Sequence, residues 1–298
     1  MAKADHWVAD LPQTGRRFVV TGGSGGLGLE TARVLAANGA DVVLAVRNVA
    51  KGAAAAATLT GSVEVRRLDV ADLSSVREFA AEIGPVDVLI NNAGVLAVPY
   101  ALTVDGFETQ LATNHLGHFA LANLMLPQIS DRVVAISSDS HRLAKLDLTD
   151  LNWERRPYKG FTAYTTSKLA NLLFTAELQR RLTQTGSTLR SVAAHPGSTA
   201  TSITGNTGNG FKTWVGSWGH KIAGMSVEKG ALSSLYAATM DIPGNSFIGP
   251  DGFKEMSGWP TGVARSRDAV DPDLAKGLWE RSEELTGVRF PLPVAPTE

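Results

Sequence analysis

Apolar and polar positions follow two rhythms along this chain. Short apolar runs predict buried parallel strands at Phe18–Val20, Asp41–Val46, Val63–Leu68, Val86–Ile90, Arg132–Ser137 and Arg190–His195. Between them, apolar residues at helical spacing predict helices over roughly 27–38, 49–58, 73–83, 105–128 and 162–184. Strand–helix alternation requires parallel strands joined by right-handed crossovers. The expectation is therefore α/β: a single doubly wound parallel sheet of about seven strands, with helices on both faces. The seventh strand falls near Phe247-Ile248. Asp271 and Pro272 read as the N-cap and first residue of a helix around 272–286, which Gly287 ends.

Two stretches break the rhythm. His141–Phe161 is a polar insertion containing Pro157 and Gly160. Gly197–Met225 is rich in glycine, and within it Phe211, Trp214, Val215, Trp218, Ile222 and Met225 recur at helical spacing. That pattern fits either a substrate lid, around 198–225, or an amphipathic helix packed on the body. No linker divides the chain, so one domain over 1–298 is expected.

The loop after the first strand adds chemistry. Arg16–Glu30 reads RRFVVTGGSGGLGLE, a strand, a glycine-rich turn and a helix start. This arrangement brings a dinucleotide pyrophosphate against a helix N-terminus, where free N–H groups and the helix dipole favour negative charge. Gly22, Ser24, Gly25, Gly26, Leu27 and Gly28 are the candidate phosphate cradle of a Rossmann fold. Glycines there let backbone approach phosphate with no Cβ between.

Composition narrows the field. The hydrophobic fraction of 44% supports a sizeable core, and a net charge of −1 gives no reason to expect nucleic acid or an anionic membrane as partner. The absence of cysteine excludes disulfides and thiolate metal sites. The first fifteen residues lack the apolar run of a signal peptide or membrane anchor, so a cytoplasmic protein is expected. His115, His118, His141 and His195 have no metal-ligand spacing with a carboxylate, so packing roles and no metal are expected.

Tyr164 and Lys168 stand four apart at the start of a long helix and share its face. An ammonium beside a phenol favours the phenolate, and a tyrosine so tuned can serve as a general acid or base. Ser138 follows a strand, at the carboxyl edge where ligands bind in such sheets, and could hold a substrate oxygen. Asp139 reads as a turn residue.

Taken in order with the glycine loop, these motifs resemble those of the short-chain dehydrogenase/reductase family over nearly the whole chain. Thr21–Gly28 matches its glycine motif, Asp69-Val70 its adenine-side position, and Asn91-Asn92-Ala93-Gly94 the motif after its fourth strand. Asn114, Ser138, Tyr164 and Lys168 match its catalytic tetrad. Pro196-Gly197, with Thr199 and Thr201, matches its nicotinamide-side loop. Arg47–Gly52, Asp105–Thr109, Asn114–Phe119 and Ser167–Asn171 resemble the retinol dehydrogenase-like branch, as does the long Ser138-to-Tyr164 separation.

The resemblance implies roles. Tyr164 exchanges a proton with a carbonyl or alcohol oxygen. Lys168 lowers the tyrosine pKa and bonds the nicotinamide ribose. Ser138 orients the substrate oxygen, and Asn114 positions a water that relays protons to Lys168. The second strand ends without an acid, while Arg47 and Lys51 could pair with a 2′-phosphate, so NADP (NADPH) is favoured over NAD. Trp259, Ile203, Phe211, Trp214 and Trp218 fall in segments that rim the pocket in this family, implying a bulky apolar ketone, aldehyde or secondary alcohol. Family members pair through two long helices, here near 105–128 and 162–184, implying a homodimer or homotetramer. Two other readings compete: a non-catalytic NADP(H)-binding regulator, and a C=C reductase related to protochlorophyllide reductase. Regulators of this fold usually lose the tyrosine or lysine, and those reductases use an active-site cysteine. This chain keeps the first pair and lacks the second.

Overall fold

The computed structural model describes residues 11–198 and 225–292. Its strands are β1 (Arg17–Thr21), β2 (Asp41–Val46), β3 (Ser62–Arg67), β4 (Val86–Asn91), β5 (Ile129–Ile136), β6 (Arg190–Ala194), β7 (Phe247–Pro250) and β8 (Pro260–Gly262). They form one sheet in the order β3-β2-β1-β4-β5-β6-β7-β8. All neighbours are parallel except β7 and β8, which pair antiparallel through Ile248↔Gly262, Gly249↔Thr261 and Pro250↔Pro260. The eighth strand is an addition to the seven expected. Its three residues, Pro-Thr-Gly, are too short and too exposed to carry an apolar signal.

Because the strands are covered on both sides, successive residues feed two different cores. Phe18, Val20, Leu44, Ile90 and Val134 pack against Leu27, Ala32 and Leu35 of α1 (Gly26–Ala37) and Leu235 of α6 (Val227–Thr239). Val19, Val43, Leu89 and Val133 face the other way, toward Phe79 of α3 (Leu73–Glu82), Phe119 and Met125 of α4 (Gly117–Met125) and Phe174 of α5 (Gly160–Gln184). Between β2 and β3, Asn48 caps α2 (Val49–Ala56) by accepting from the Lys51 N–H at 2.9 Å. The polar insertion after β5 is pinned by the buried side chains of Ala144, Leu151 and Trp153.

The helix expected over 105–128 starts later and is not uniform. Gly106, with φ of 79°, turns the chain, and Leu102 and Glu108 bridge antiparallel across that turn. Glu108 then caps the first helical turn, Thr109–Leu111, by accepting from the Gln110 and Leu111 N–H groups. Ala112–Leu116 winds as a π-turn before α4 proper. Single π-turns of this kind inside helices are frequent at functional sites.

The last helix, α7 (Pro272–Thr286), is capped by Asp271 and stopped by Gly287 in the left-handed region. It covers α4 and α5. The Trp279 ring meets Phe119 at 4.8 Å edge-on and lies parallel to Phe174 at 5.9 Å. As a result nearly every residue of α4, and α5 from Thr165 to Thr175, is buried within the chain.

One packing constraint places α4 against the sheet. A Cβ on Gly117 would lie 1.8 Å from the Val70 carbonyl oxygen and 2.8 Å from its carbon. Gly117 has helical φ and ψ, so propensity alone would favour alanine by about 1 kcal/mol. The clash with backbone outweighs it. Gly117→Ala is expected to destabilise the fold by ~1–3 kcal/mol or more, read by urea denaturation; an unchanged midpoint would refute this packing.

Candidate active site

The sheet order reverses between β1 and β4, and the carboxyl ends of these strands are where a crevice must open. The Thr21 hydroxyl sits at that junction. It accepts from the Asn92 and Ala93 N–H groups, both at 2.9 Å, and meets His118 Nε2 at 2.9 Å. Both lone pairs are then used, so its proton goes to His118 Nε2. His118 must carry its own proton on Nδ1, which donates to the Asn114 carbonyl at 3.3 Å. Burial holds this imidazole down to about 4, so it stays neutral in this tautomer across the physiological range. Sequence reasoning set His118 aside as packing. Nothing in its spacing signals that it joins the glycine loop to the π-turn.

The glycine loop follows Thr21. Gly22 and Gly26 have φ of 69° and 54°. A Cβ on Gly28 would lie 2.5 Å from Asn92 Nδ2, which donates to the Thr21 carbonyl at 2.8 Å. Gly25 differs: a Cβ there would meet nothing within 4 Å. It precedes α1 in extended backbone, no side chain caps the helix, and no acidic residue occupies its first turn. Open approach and uncapped N–H groups on Gly26, Leu27 and Gly28, with Ser24 beside them, are what a pyrophosphate needs. The residues present therefore fit a dinucleotide.

Around this cradle stand the other candidates. Arg47 and Lys51 are exposed beyond the end of β2, with no ion pair among the described residues. Asp69 is half-buried after β3, its carboxylate accepting from the Ala71 N–H at 3.0 Å, and Val70 backs onto Gly117. Pro196 and Gly197 follow β6, with Gly197 at φ of 68°. Thr199 and Thr201 lie outside the described residues, as do Ile203, Phe211, Trp214 and Trp218 and with them most of the 198–225 segment.

The remaining four candidates converge at the ends of β4 and β5. Asn114 is fully buried at the centre of the π-turn. Its amide accepts from the Val95 N–H at 2.8 Å and donates to the Val95 carbonyl and to Ser167 Oγ, at 3.0 and 2.8 Å. The side chain thus holds the loop after β4. Gly94 in that loop lies flush: a Cβ there would come 3.2 Å from Asn114 Oδ1 and 3.6 Å from Lys168 Nζ.

Lys168 and Asn171 reach from α5 to one acceptor, the Ile136 carbonyl, both at 3.0 Å. Ser137 Oγ returns a bond to the Lys168 carbonyl at 2.8 Å. These three bonds fasten the end of β5 to α5. Ser138 Oγ accepts from the Ser140 N–H and hydroxyl at 3.2 and 2.9 Å, which leaves its own proton to donate. Its backbone carbonyl accepts from His141 Nδ1 at 2.8 Å.

The electrostatics differ from the sequence expectation. Lys168 was expected to lower the phenol pKa of Tyr164. Its ammonium sits 5.6 Å from the centre of the Tyr164 ring, over the face. Burial raises the Tyr164 phenol above its ordinary value, with the Ser138 hydrogen bond opposing, while burial brings Lys168 itself down to about 8. Phenol and ammonium are both disfavoured in their charged forms because both have left water. Phe161 stacks near the Tyr164 ring at 6.3 Å. Among the described residues no cluster of His, Asp or Glu could hold a metal ion. A cavity of about 220 Å³ between β3 and α3 is lined by Arg66, Arg67, Glu78, Phe79, Glu82 and Ile83, and none of the candidates above contributes to it.

A doubly wound sheet with a glycine cradle and this cluster at its switch point defines a class, the dinucleotide-dependent α/β oxidoreductases. Residues 16–210 match the family model for short chain dehydrogenase, and the chain belongs to that family. It is 39% identical to human retinol dehydrogenase 13, over 93% of this chain and 86% of that protein. It is also 39% identical to human retinol dehydrogenase 12, over 93% and 88%. The crystal structure of an uncharacterised protein from Mycobacterium paratuberculosis superposes with a TM-score of 0.85 at 52% identity, covering 96% of this chain and 98% of that one. The chain is accordingly an oxidoreductase acting on CH–OH or C=O groups, with a nicotinamide dinucleotide as cofactor.

The Lys168 shift has a stability consequence. Its pKa is lower folded than unfolded, so between about 8 and 10.5 the unfolded chain binds more protons and stability rises with pH. Below pH 8 the full cost of charging the buried amine is present. Lys168→Met removes that cost, and Asn171 keeps the Ile136 carbonyl paired. The variant is expected to be more stable than the parent at pH 7 by up to ~3 kcal/mol, with the gap closing above pH 10. Urea titrations at the two pH values measure it; a gap that widens with pH would contradict the assignment.

Proposed function

We propose that this chain transfers hydride between NADP(H) and a bulky apolar carbonyl or alcohol, with Tyr164 as the proton donor or acceptor. The observation that carries the reading is the meeting of Ser138, Tyr164, Lys168 and Asn114 beside an uncapped glycine-loop helix. When bound, the nicotinamide supplies or receives the hydride. Every other task falls to the chain. Gly22, Ser24, Gly25, Gly26, Leu27 and Gly28 hold the pyrophosphate. Asp69 and Val70 border the adenine. Asn92, Ala93, Gly94, Pro196 and Gly197 bound the nicotinamide half, and Lys168 bonds its ribose. Ser138, its lone pairs taken by Ser140, has one proton to give: it goes to the Tyr164 oxygen in the free chain and turns to the substrate oxygen when substrate binds. Burial keeps the Tyr164 phenol protonated near neutrality, the state needed to give a proton to a carbonyl oxygen as it becomes a hydroxyl.

The preference for NADP rests on Arg47 and Lys51. Both are exposed and form no ion pair among the described residues, Asn48 and a close-packed Gly52 fix the helix that carries Lys51 against β2, and β2 itself ends Ala45-Val46 with no acid to repel a phosphate. The apolar substrate is supported by exposed apolar side chains on segments that adjoin the site: Leu143 in the turn that Ser138 caps, Met256 whose carbonyl holds the Ser198 N–H, and Phe161 stacked near the Tyr164 ring. The two human relatives are named for retinol, itself an apolar alcohol. Localisation in the cytoplasm remains part of the proposal. Assembly is revised: the pairing surface expected on the two long helices is filled by α7, so we infer that the chain does not pair through them.

Two substitutions test this reading. Tyr164→Phe removes one hydroxyl and should cut turnover at least ~10²-fold while leaving NADPH affinity largely intact. Near-normal turnover would remove Tyr164 from the mechanism. Arg47→Ala should weaken NADPH by about tenfold or more and barely move NADH, measured by fluorescence titration. Equal affinity of the parent protein for both dinucleotides would end the NADP assignment.

A further inference from the structure

The connection between β7 and β8 contains an unusual stretch of backbone. Lys254 and Glu255 both have positive φ, 49° and 55°. Neither is glycine, and L-residues adopt this left-handed backbone only at a cost. The Glu255 carboxylate on this turn makes two contacts. Its Oε2 lies 3.2 Å from Nε2 of His195, a residue with no exposed surface at the end of β6. His195 Nδ1 accepts from the Gly197 N–H at 3.3 Å, so the ring proton is on Nε2 and points at Glu255. The ring edge lies flat on β7, where a Cβ on Gly249 would come 2.0 Å from Nε2.

The second carboxylate oxygen faces the opposite side of the site. Glu255 Oε1 accepts from Arg142 Nη2 at 3.1 Å. Arg142 Nε donates to Asp139 at 2.6 Å, and Nη2 donates to the Ala264 carbonyl, also at 2.6 Å. Arg142 lies in the turn Asp139–Leu143 that Ser138 caps. The backbone closes the same circuit: the Ser198 N–H donates to the Met256 carbonyl at 2.9 Å, and a Cβ on Gly197 would come 2.7 Å from that oxygen. One strained carboxylate therefore links the turn carrying Ser138 to the turn Pro196–Gly197–Ser198.

We propose that Glu255 is a positioning residue: by holding His195 it sets the Pro196–Gly197 turn, and through that turn the nicotinamide half of the bound dinucleotide. The proposal rests on the reading of this chain as a nicotinamide enzyme whose Pro196–Gly197 turn borders the nicotinamide. It assigns Glu255 no contact with substrate or cofactor. Its effect is confined to one half of the dinucleotide, whereas a loss of general stability would affect both halves.

Calorimetric titration of the full chain separates the cases. The parent is titrated with NADPH and NADH, then with the nicotinamide-free half of whichever binds more tightly, adenosine 2′,5′-bisphosphate or ADP-ribose. Glu255→Ala is expected to weaken the whole dinucleotide about tenfold, the scale of one charge-assisted hydrogen bond, and to leave the nicotinamide-free half within about twofold of the parent. Glu255→Gln keeps an acceptor for His195 and should recover affinity to within about threefold. Equal loss on both probes, no loss on either, or a Gln variant as weak as Ala overturns the proposal while leaving the proposed function standing. A parent that binds neither dinucleotide overturns the proposed function, and this proposal with it.

Discussion

The arrangement of the site depends on one hydroxyl at the reversal of the sheet. Strands β1 and β4 run side by side there, and their chains depart to opposite faces. Thr21 pins the departing ends together by accepting two N–H groups from the loop after β4 and giving its proton to His118. A valine of the same shape would leave two loop N–H groups and the Nε2 of a buried imidazole without the partner they have here. The glycine cradle begins one residue after Thr21, and the π-turn that carries Asn114 hangs from the imidazole. The distance between phosphate cradle and catalytic cluster is thus set by hydrogen bonds of fixed length, with apolar packing only closing around them.

A second constraint comes from taking charge out of water. Lys168 and Tyr164 are placed by α5, whose buried length leaves the amine little but the Ile136 carbonyl to bond. The same burial that disfavours the ammonium disfavours the phenolate, so the two groups share an environment and are not simply acid and counter-charge. Among the described residues the Ser138 hydroxyl opposes the rise at the phenol, and it can do so because Ser140 fixes its proton direction. His141, His195 and His118 are all held neutral by burial, each with its proton fixed on one nitrogen. Histidine serves here as a rigid two-ended linker.

Much of this was legible in the chain. Strands buried on both faces read as continuous apolar runs, and the turns that end them are marked by glycine and asparagine. Asp271, Pro272 and Gly287 stand where the last helix starts and stops, since caps act locally. What escaped was decided by contacts between distant residues. The three residues of β8, Pro-Thr-Gly, become a strand only because β7 offers an edge. The π-turn at Asn114 has a helical sequence and is visible only once Gly117 must clear Val70. His118 and His195 carry no local signal, because their partners Thr21 and Glu255 lie 97 and 60 residues away in the chain. The direction of the Tyr164 shift does not follow from spacing, since i to i+4 places two side chains on one face without fixing which atoms meet.

The position of α7 bears on how the chain is made. Phe119 and Phe174 complete their aromatic stack only with Trp279, which follows them by more than a hundred residues. During vectorial synthesis the central helices emerge first, with their outer face bare. That face stays adhesive until the ribosome has delivered residues 271–287. Final closure of the core is therefore coupled to the late stage of translation. A chain stalled before Asp271 would present a nearly finished sheet with an uncovered aromatic surface, the kind of intermediate that holdase chaperones recognise.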